Sequence, residues 1–362
     1  MQTHIVEVIN MPREVAWLPW AVQYFFLIGL SVGAFLLSLP GLAFGRSKWR
    51  NASRLALLGA LVCGLTAPVA LLSDLHQPGR FYHFYLYMNA TSWMAWGSFF
   101  IPLYLGGLML YAWLVTRPDF QRLADRGGRW APLYRRVAYG GLSSTGAIRA
   151  AAGLTGLGAT LVALYTGMEV MVVAARPLWN TPLVPLQLLV TAVAGAIGLV
   201  LVLERAMGIV RVADTRLLNQ ALAASQLAAL AVGAIWLALG LFELSPSHVR
   251  ALAEVSGSPE WRLTAAWAAA ATLLTLALAL LRSGHGLLTG LLAMHSAWMM
   301  RWTLFIGGQE IPKVGAGFHA YHLPLGQDGW LGLFGTAGLW VFVFIALTSL
   351  FPWGDARDSQ MT

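Results

Sequence analysis

The stretch WLPWAVQYFFLIGLSVGAFLLSLPGLAF, residues 17–44, decides the fold class of this chain. It carries no charged side chain, and about 20 apolar residues in helical conformation already cross the hydrocarbon core of a bilayer. The segment before it contains Glu7 and Glu14 and has no basic region of the kind that opens a signal peptide. Because the apolar run is also too long for a signal-peptide core, we interpret it as a retained first membrane span.

The rest of the 362-residue chain repeats this pattern. Hydrophobic residues make up 58% of it and charged residues 10%, and the mean hydropathy is +0.67. The sequence therefore predicts one all-α, polytopic membrane domain over residues 1–362, with its helices packed as bundles. About nine spans are expected, which puts the two termini on opposite sides. Their predicted ranges are 17–44, 55–73, 92–115, 149–174, 183–204, 217–243, 262–281, 287–306 and 327–350.

The basic residues give the predicted orientation. Most of them lie in the connections 45–54, 116–148, 205–216 and 282–286 or, like Arg357, in the C-terminal tail. The positive-inside rule makes this set cytoplasmic, so the N-terminus is expected outside. The same rule places the connections 74–91, 175–182, 244–261 and 307–326 outside. The remaining basic residues are assigned to the same outer side: Arg13, Arg80, Arg176, Arg250, Arg262, Arg301 and Lys313. The net charge of +8 is explained by this distribution, so we expect no binding of nucleic acid.

The connections predicted outside are aromatic, polar and broken by Pro and Gly, for example DLHQPGRFYHFYLYMNATSWMAWG at residues 74–97. One interpretation is a belt of aromatic side chains at the level of the lipid headgroups. The other is a surface that packs against a partner protein. Because three such connections share one side, we favour a docking surface.

Ionisable residues inside spans are costly and are therefore candidate functional residues. Tyr165 and Glu169 are four residues apart in the fourth span, so their side chains share one helix face. From the predicted end of that span they lie about 14 Å and 8 Å below the outer surface. A hydroxyl that can donate or accept and a carboxyl that can take up a proton suit the head group of a quinol. The alternative is a Tyr bonded to a carbonyl and a Glu reaching the interface.

Two further spans carry polar residues at a similar predicted depth. Gln23 and Tyr24 lie in the first span, and Asp74 ends the second. They predict either a shared cavity or hydrogen bonds between helices. The nearby GLSVG, residues 29–33, is a small-residue pattern that favours close helix packing. Arg80 and Arg176 are candidates to pair with Asp74 and Glu169 or with a partner subunit.

The sequence argues against metal cofactors within this chain. Cys63 is the single cysteine, whereas an iron–sulfur cluster needs about four thiolates. His295 is the one histidine well inside a span, which is too few for a di-haem cytochrome of the b type, and we interpret it as a hydrogen-bonded structural residue. No nucleotide-binding loop, metalloprotease motif or nucleophile elbow is present.

Four segments together resemble the NrfD/PsrC-type membrane subunits of polysulfide, tetrathionate and related molybdopterin oxidoreductases. They are YFFLIGLSVGAFLLSL at 24–39, DLHQPGRFYHFY with TSWMAWGSF at 74–99, YTG with RPLWNTPLVPL at 165–186, and RWTLFIGGQ at 301–309. The span count and the wording around Asp74 are most similar to the tetrathionate reductase branch. Tyr165 stands where this family has a tyrosine that contacts quinone. Some relatives carry a His and an Asn where this chain has Tyr24 and Ala21, which leaves Gln23 as the candidate substitute.

The resemblance implies a haem-free subunit of the inner membrane that oxidises menaquinol or ubiquinol near the outer face. Electrons would pass to a ferredoxin-like iron–sulfur subunit docked there, and then to a molybdopterin subunit that reduces a sulfur oxyanion or polysulfide. Tyr165, Glu169 and Asp74 are the expected catalytic residues. The expected residues of the quinol pocket or its rim are Gln23, Tyr24, Arg80, His83, Arg176, Trp179 and Asn180.

Two other classes remain as alternatives. A secondary transporter would have broken helices and polar residues near the bilayer midplane, at the interface of a repeat. An anchor without electron-transfer function would only hold a soluble enzyme at the membrane. The clustering of polar residues in one leaflet argues against the first, and the cost of Glu169 inside a span argues against the second.

Overall fold

The computed structural model describes residues 15–140, 143–281, 286–311, 318–319, 321–351 and 353. Part of the predicted topology depends on residues outside this set, which are Glu7, Arg13, Glu14, Arg282, Lys313 and Arg357. Throughout the described residues, all regular secondary structure is helical, which confirms the predicted all-α class.

The helices follow one another with short connections. Their bounds are α1 Pro19–Leu42, α2 Arg50–Asp74, α3 His83–Leu86, α4 Trp93–Asp125, α5 Ala131–Val137, α6 Thr145–Met171, α7 Leu183–Ala206, α8 Val212–Leu241, α9 Pro246–Ser256, α10 Pro259–Leu280, α11 Gly286–Glu310 and α12 Trp330–Leu350. In the described part of the chain, eight of these helices are long and apolar enough to cross a membrane: α1, α2, α4, α6, α7, α8, α10 and α12.

The predicted span 287–306 corresponds to α11, which is not among those eight. With 25 residues α11 is about 37 Å long, so its length would allow it to cross. It differs from the others in its polar residues, which include His295 and Arg301. Since α11 packs against α7, α10 and α1, it can carry these residues toward protein rather than toward lipid.

Several predicted connections contain helical structure, among them 74–91 with α3, and two of them differ most from the prediction. The connection 116–148 was expected to follow a span ending at residue 115, but α4 continues to Asp125 and α5 follows it. A helix need not end where its sequence becomes polar, and here charged side chains hold the extension in place. Buried Asp119 pairs with Arg54 at 2.6 Å and with Arg122 at 2.5 Å.

The connection 244–261, expected as a loop, contains the 11-residue helix α9. This helix is amphipathic, and it buries His248, Ala251 and Val255 between α8 and α10. The His248 Nε2 and Thr181 Oγ1 atoms are 3.0 Å apart. Burial lowers the pKa of His248. A search for long apolar runs misses such a helix because it is short and polar on one face.

The long helices form two groups that meet along α1 and α7. In the first group α1 packs on α2 and α4 packs on α6, and in the second α7, α8, α10 and α11 pack together. Helix α12 lies outside the first group against α2 and α1, and only 11% of its most apolar window is buried. Below, the end of both groups that holds Asp74 and Glu310 is called the outer end, following the predicted orientation.

Small residues let helices approach closely, both between the two groups and within the second group. A Cβ at Gly33 of α1 would lie 2.8 Å from the Ala192 carbonyl oxygen of α7, and one at Gly198 would lie 2.6 Å from the Gly290 carbonyl oxygen. Both contacts are too short for any larger residue. The small-residue pattern of the first span therefore packs against the second group, as the sequence predicts.

Candidate functional site

Three buried polar side chains meet between α1 and α6 near the outer end. Tyr24 is fully buried, and Tyr165 and Glu169 are 2% and 9% exposed. The Tyr165 hydroxyl lies within interaction range of both the Glu169 carboxyl and the Tyr24 hydroxyl. The Tyr24 hydroxyl nevertheless has no hydrogen-bond partner among the described residues, so the two tyrosines approach each other without closing a bond. Below, Tyr24, Tyr165 and Glu169 are called the tyrosine–carboxyl cluster.

The cluster is nearer the outer end than the sequence suggests. The fourth span was expected to continue to residue 174, but α6 ends at Met171. Tyr165 and Glu169 are therefore about 9 Å and 3 Å from the end of the helix axis. Because they are four residues apart on a continuous helix, their side chains share one face, as predicted.

Gly97 of α4 sets the position of the Tyr165 ring. A Cβ added at Gly97 would lie 2.4 Å from Tyr165 Cζ and 2.5 Å from Cε2. On the far side, a Cβ at Gly167 would lie 2.6 Å from Pro185 Cβ of α7. Sequence reasoning missed both glycines as site residues, since a glycine gives no chemical signal of its own.

Asp74 reaches the site from the end of α2. Its Oδ1 atom accepts a hydrogen bond from the Leu18 amide at 3.1 Å, so the carboxyl caps the start of α1. It also lies close enough to Glu169 to interact with it electrostatically. The four helices of the first group thus contribute to one place: α1, α2 and α6 supply polar groups and α4 supplies the gap at Gly97.

Gln23 is the neighbour of Tyr24 on α1 and is 4% exposed. Its Oε1 atom is buried and has no hydrogen-bond partner in the described part of the chain. Buried polar atoms are nearly always paired. The unpaired atoms of Gln23 and Tyr24 therefore leave this stretch of α1 able to bond to water or to a ligand.

The connection between α6 and α7 has a structural role. Arg176 Nη1 donates to the carbonyl oxygens of Gly308 at 2.6 Å and Ile311 at 3.2 Å, so this guanidinium bonds to the end of α11 instead of to Glu169. It also lies 5.0 Å from the Trp179 ring centroid, and Trp179 Nε1 donates to the Leu304 carbonyl at 2.7 Å. Partial burial lowers the pKa of Arg176.

Asn180, the third predicted rim residue of this connection, caps the end of α6. Its Nδ2 atom donates to the Met171 carbonyl oxygen at 2.6 Å. Asn180, Arg176 and Trp179 therefore fix how α6 and α11 end, beside the cluster rather than within it.

Arg80 and His83 lie on the surface of the connection between α2 and α4. Arg80 is exposed at the end of a 3₁₀ turn, and His83 is half-buried with its ring centroid 4.7 Å from that of Tyr82 and 5.2 Å from that of Tyr87. Around them is a set of exposed large side chains, called the aromatic surface below: Phe81, Tyr82, Tyr85, Leu86, Tyr87 and Met88. Apolar side chains clustered on a surface mark sites of contact with another protein or with a membrane.

Arg301 is a functional candidate that the sequence reasoning placed wrongly. It was counted with the outer connections, but it is 1% exposed inside α11. Its Nε atom donates to the Phe25 carbonyl at 3.0 Å, Nη1 to the Ala297 carbonyl at 2.9 Å and to Thr191 Oγ1 at 3.2 Å, and Nη2 to the Leu188 carbonyl at 3.1 Å. The signal was available, because an arginine within an apolar run is a candidate by itself.

Gly29 makes room for this arginine. A Cβ at Gly29 would lie 2.7 Å from Arg301 Nη2. The guanidinium also lines a cavity of about 30 Å³, which is bordered by Phe25 and Thr166, the neighbours of Tyr24 and Tyr165. That volume is enough for about one water molecule. The small-residue pattern at 29–33 thus accommodates a charged group as well as a helix.

Gln309 and His295 have structural partners. Gln309 Oε1 accepts from the Ala16 amide at 3.0 Å and the Trp17 amide at 2.9 Å, so α1 is held at its start by Gln309 as well as by Asp74. His295 Nε2 accepts from Trp267 Nε1 at 2.8 Å, in agreement with a hydrogen-bonded structural histidine. Among the described residues, no three His, Cys, Asp or Glu side chains are grouped so that they could hold a metal ion.

These features define the class of the protein: a multi-pass α-helical membrane protein with a buried tyrosine–carboxyl cluster near one end of its first helix group. A family model described as "Polysulphide reductase, NrfD" matches residues 7–313. The chain therefore belongs to the NrfD family, which confirms the resemblance seen in its motifs.

Subunits of three reductases are similar to this chain and agree with the family assignment. The chain is 35% identical over 358 residues to a tetrathionate reductase subunit of Salmonella typhimurium, and the match covers 95% of this chain and 94% of that protein. It is 27% identical over 203 residues to a selenate reductase subunit of Mesobacillus selenatarsenatis, covering 52% and 47%. It is 29% identical over 202 residues to a polysulfide reductase subunit of Wolinella succinogenes, covering 52% and 58%.

Proposed function

We propose that this chain is the quinol-oxidising membrane subunit of a reductase complex. The observation that carries the proposal is the tyrosine–carboxyl cluster, which is buried near the outer end of the first helix group. The family match and the names of the relatives, which are subunits of reductases, support it. The substrate is menaquinol or ubiquinol, and the protein carries neither haem nor an iron–sulfur cluster of its own.

Oxidation of a quinol releases two electrons and two protons, so the site must accept protons where the head group binds. The Glu169 carboxylate is the proton acceptor, because it lies beside the Tyr165 hydroxyl and can take a proton from a quinol hydroxyl directly or through that tyrosine. The Tyr24 hydroxyl and the Gln23 amide oxygen, neither of which has a partner among the described residues, are available to orient the ring. Asp74, close to Glu169, can pass the proton toward the outer end.

The proposed orientation puts the N-terminus outside and the C-terminus in the cytoplasm, with α11 as a ninth span. In this arrangement the aromatic surface at residues 81–88 lies outside, above the cluster. We assign it as the docking surface for a ferredoxin-like iron–sulfur subunit, which passes electrons to a molybdopterin subunit. The terminal acceptor is a sulfur oxyanion or polysulfide, following the tetrathionate and polysulfide reductases among the relatives.

Quinol oxidation by the purified complex tests the proposal. Tyr165→Phe and Glu169→Gln each remove one group of the cluster and are expected to lower the rate at least tenfold. Tyr104→Phe is the matched control, because its buried hydroxyl bonds to Ser31 Oγ at 2.8 Å in the same helix group, away from the cluster. Wild-type rates in both cluster variants would leave an anchor without electron-transfer function as the better interpretation.

A further inference from the structure

A second cavity lies within the other helix group. It has a volume of about 450 Å³ and is bordered by α7, α8, α10 and α11 in the outer half of that group. This size is typical of pockets that bind small organic ligands. Its walls are mostly aliphatic, with two indole rings, those of Trp236 and Trp261, whose centroids are 6.2 Å apart.

Four polar atoms along this cavity lack partners. The indole Nε1 atoms of Trp236 and Trp261, the Oγ1 atom of Thr303 and the Oε1 atom of Gln187 are buried and have no hydrogen-bond partner among the described residues. Thr303 is only 8% exposed. Buried indole N–H groups normally find an acceptor. Four unpaired groups around one cavity point to a ligand that bonds to them.

The chemistry of the four atoms defines the ligand. The two indoles can only donate, Thr303 has a free hydroxyl to donate, and the Gln187 amide oxygen can only accept. The ligand must therefore present acceptor oxygens on an otherwise apolar, flat body that fits beside the two indole rings. Both redox forms of a quinone ring supply these oxygens, and the hydroxyl groups of the reduced form can also donate to Gln187 Oε1.

The cavity is open at its side. Gly233, Ala234 and Leu237 of α8 line it and are exposed, and a Cβ at Gly233 would meet nothing within 4 Å. A molecule dissolved in the bilayer can enter between α8 and α10 without passing through water. This entry suits a quinone with an isoprenoid tail, which can remain in lipid while the ring is bound.

We propose that this cavity is a second quinone site, which takes the ring in either redox form and is separate from the tyrosine–carboxyl cluster. The cavity and its unpaired groups stand without the proposed function, while the choice of a quinone over another apolar carbonyl compound rests on it. The site can hold quinone that has left the cluster or quinone taken from the membrane.

Photolabelling of the purified complex with an azido-naphthoquinone tests this site, with labelled peptides located by mass spectrometry. We expect label on α8 and α10 within residues 229–237 and 261–272, and competition by menadione in both its oxidised and its reduced form. Gly233→Leu fills the cavity and should remove at least nine-tenths of this label. Trp261→Phe and Thr303→Val each remove one donor and should weaken binding about fivefold.

Matched controls separate the site from general effects. Gly153→Leu adds the same side chain at a glycine of α6 that also has nothing within 4 Å, and Trp267→Phe removes an indole of α10 that bonds to His295. Both should label as wild type, and so should Glu169→Gln. The proposal would be overturned if the label were confined to α1 and α6. It would also be overturned if the label on α8 and α10 were unchanged in Gly233→Leu and Trp261→Phe. Labelling by a diazirine fatty acid that menadione does not displace would overturn it too, since the cavity would then hold lipid.

This result does not depend on the turnover test. Loss of label in Gly233→Leu with wild-type rates in Tyr165→Phe and Glu169→Gln would keep the second site and reject the proposed function. The opposite outcome would keep the proposed function and reject the second site.

Discussion

Replacing Gly97 by Ala should impair quinol oxidation without removing a single polar atom. The new Cβ would lie 2.4 Å from Tyr165 Cζ, whereas carbon atoms in contact are normally about 3.5–4.0 Å apart. The Tyr165 ring must therefore move by about 1 Å, and its hydroxyl moves with it, away from Tyr24 and Glu169. A misplacement of about 1 Å in a catalytic arrangement can cost about 10²-fold in rate.

The cost in stability should not exceed the rise in activation free energy, which is about 2.7 kcal/mol for a 10²-fold loss of rate. Ala in a helix is about 0.5–1 kcal/mol more favourable than Gly, while overpacking costs about 1–3 kcal/mol. We therefore expect an unchanged or slightly lower Tm. Gly106→Ala is the control, since Gly106 lies on the same helix and has nothing within 4 Å of its added Cβ. The assay is quinol oxidation by purified complex together with thermal unfolding of each variant. Because its added Cβ meets nothing, Gly106→Ala should raise Tm. A wild-type rate in Gly97→Ala, together with a similarly raised Tm, would refute the close approach of Gly97 to Tyr165.

Three further variants test features around the site. Arg301→Lys keeps the charge but loses the planar guanidinium, so the carbonyl oxygens of Phe25 and Leu188 lose their donors and Tm in detergent should fall by several degrees. An unchanged Tm would show that these hydrogen bonds do not stabilise the fold. Gln309→Leu leaves the amides of Ala16 and Trp17 without acceptors, which costs about 1–3 kcal/mol for each amide, so both should exchange hydrogen with solvent faster. Gln309→Glu keeps an acceptor oxygen, and both amides should stay protected from exchange. Tyr87→Ser should reduce co-purification of partner subunits, whereas Tyr139→Ser, at a similarly exposed tyrosine, should not. Equal amounts of partner subunit with both variants would argue against docking at the aromatic surface.

The sequence predicted the long helices well because hydropathy is averaged over about 20 residues, so single exceptions matter little. Its predictions were wrong where a helix continues into polar sequence, as in α4, and where a helix is short and polar on one face, as in α9. The extension of α4 to Asp125 depends on ion pairs between residues far apart in sequence, such as Asp119 and Arg54, and these contacts appear only after folding. The short helix α9 gives no hydropathy signal at all.

The candidate site was predictable in part. The pairing of Tyr165 with Glu169 follows from helix periodicity alone, and that prediction needs only one helix. The approach of Tyr24, the gap at Gly97 and the cap from Asp74 each join different helices. Their relative rotation is set by packing, which the spacing of residues along a single helix does not determine.

Arg301 connects the two parts of the structure that the sequence treats separately. Its guanidinium borders the small cavity beside Phe25 and Thr166 and bonds to Thr191, which also lines the 450 Å³ cavity. Its four hydrogen bonds go to neutral oxygens, which stabilise the charge by their dipoles but leave it uncompensated, so its field reaches both cavities. Oxygen atoms of a ligand in the larger cavity and of water in the small one are attracted by that field. Gly97→Ala and Gly233→Leu should each disturb one site alone, whereas Arg301→Gln, which removes the charge, should shift turnover and labelling together.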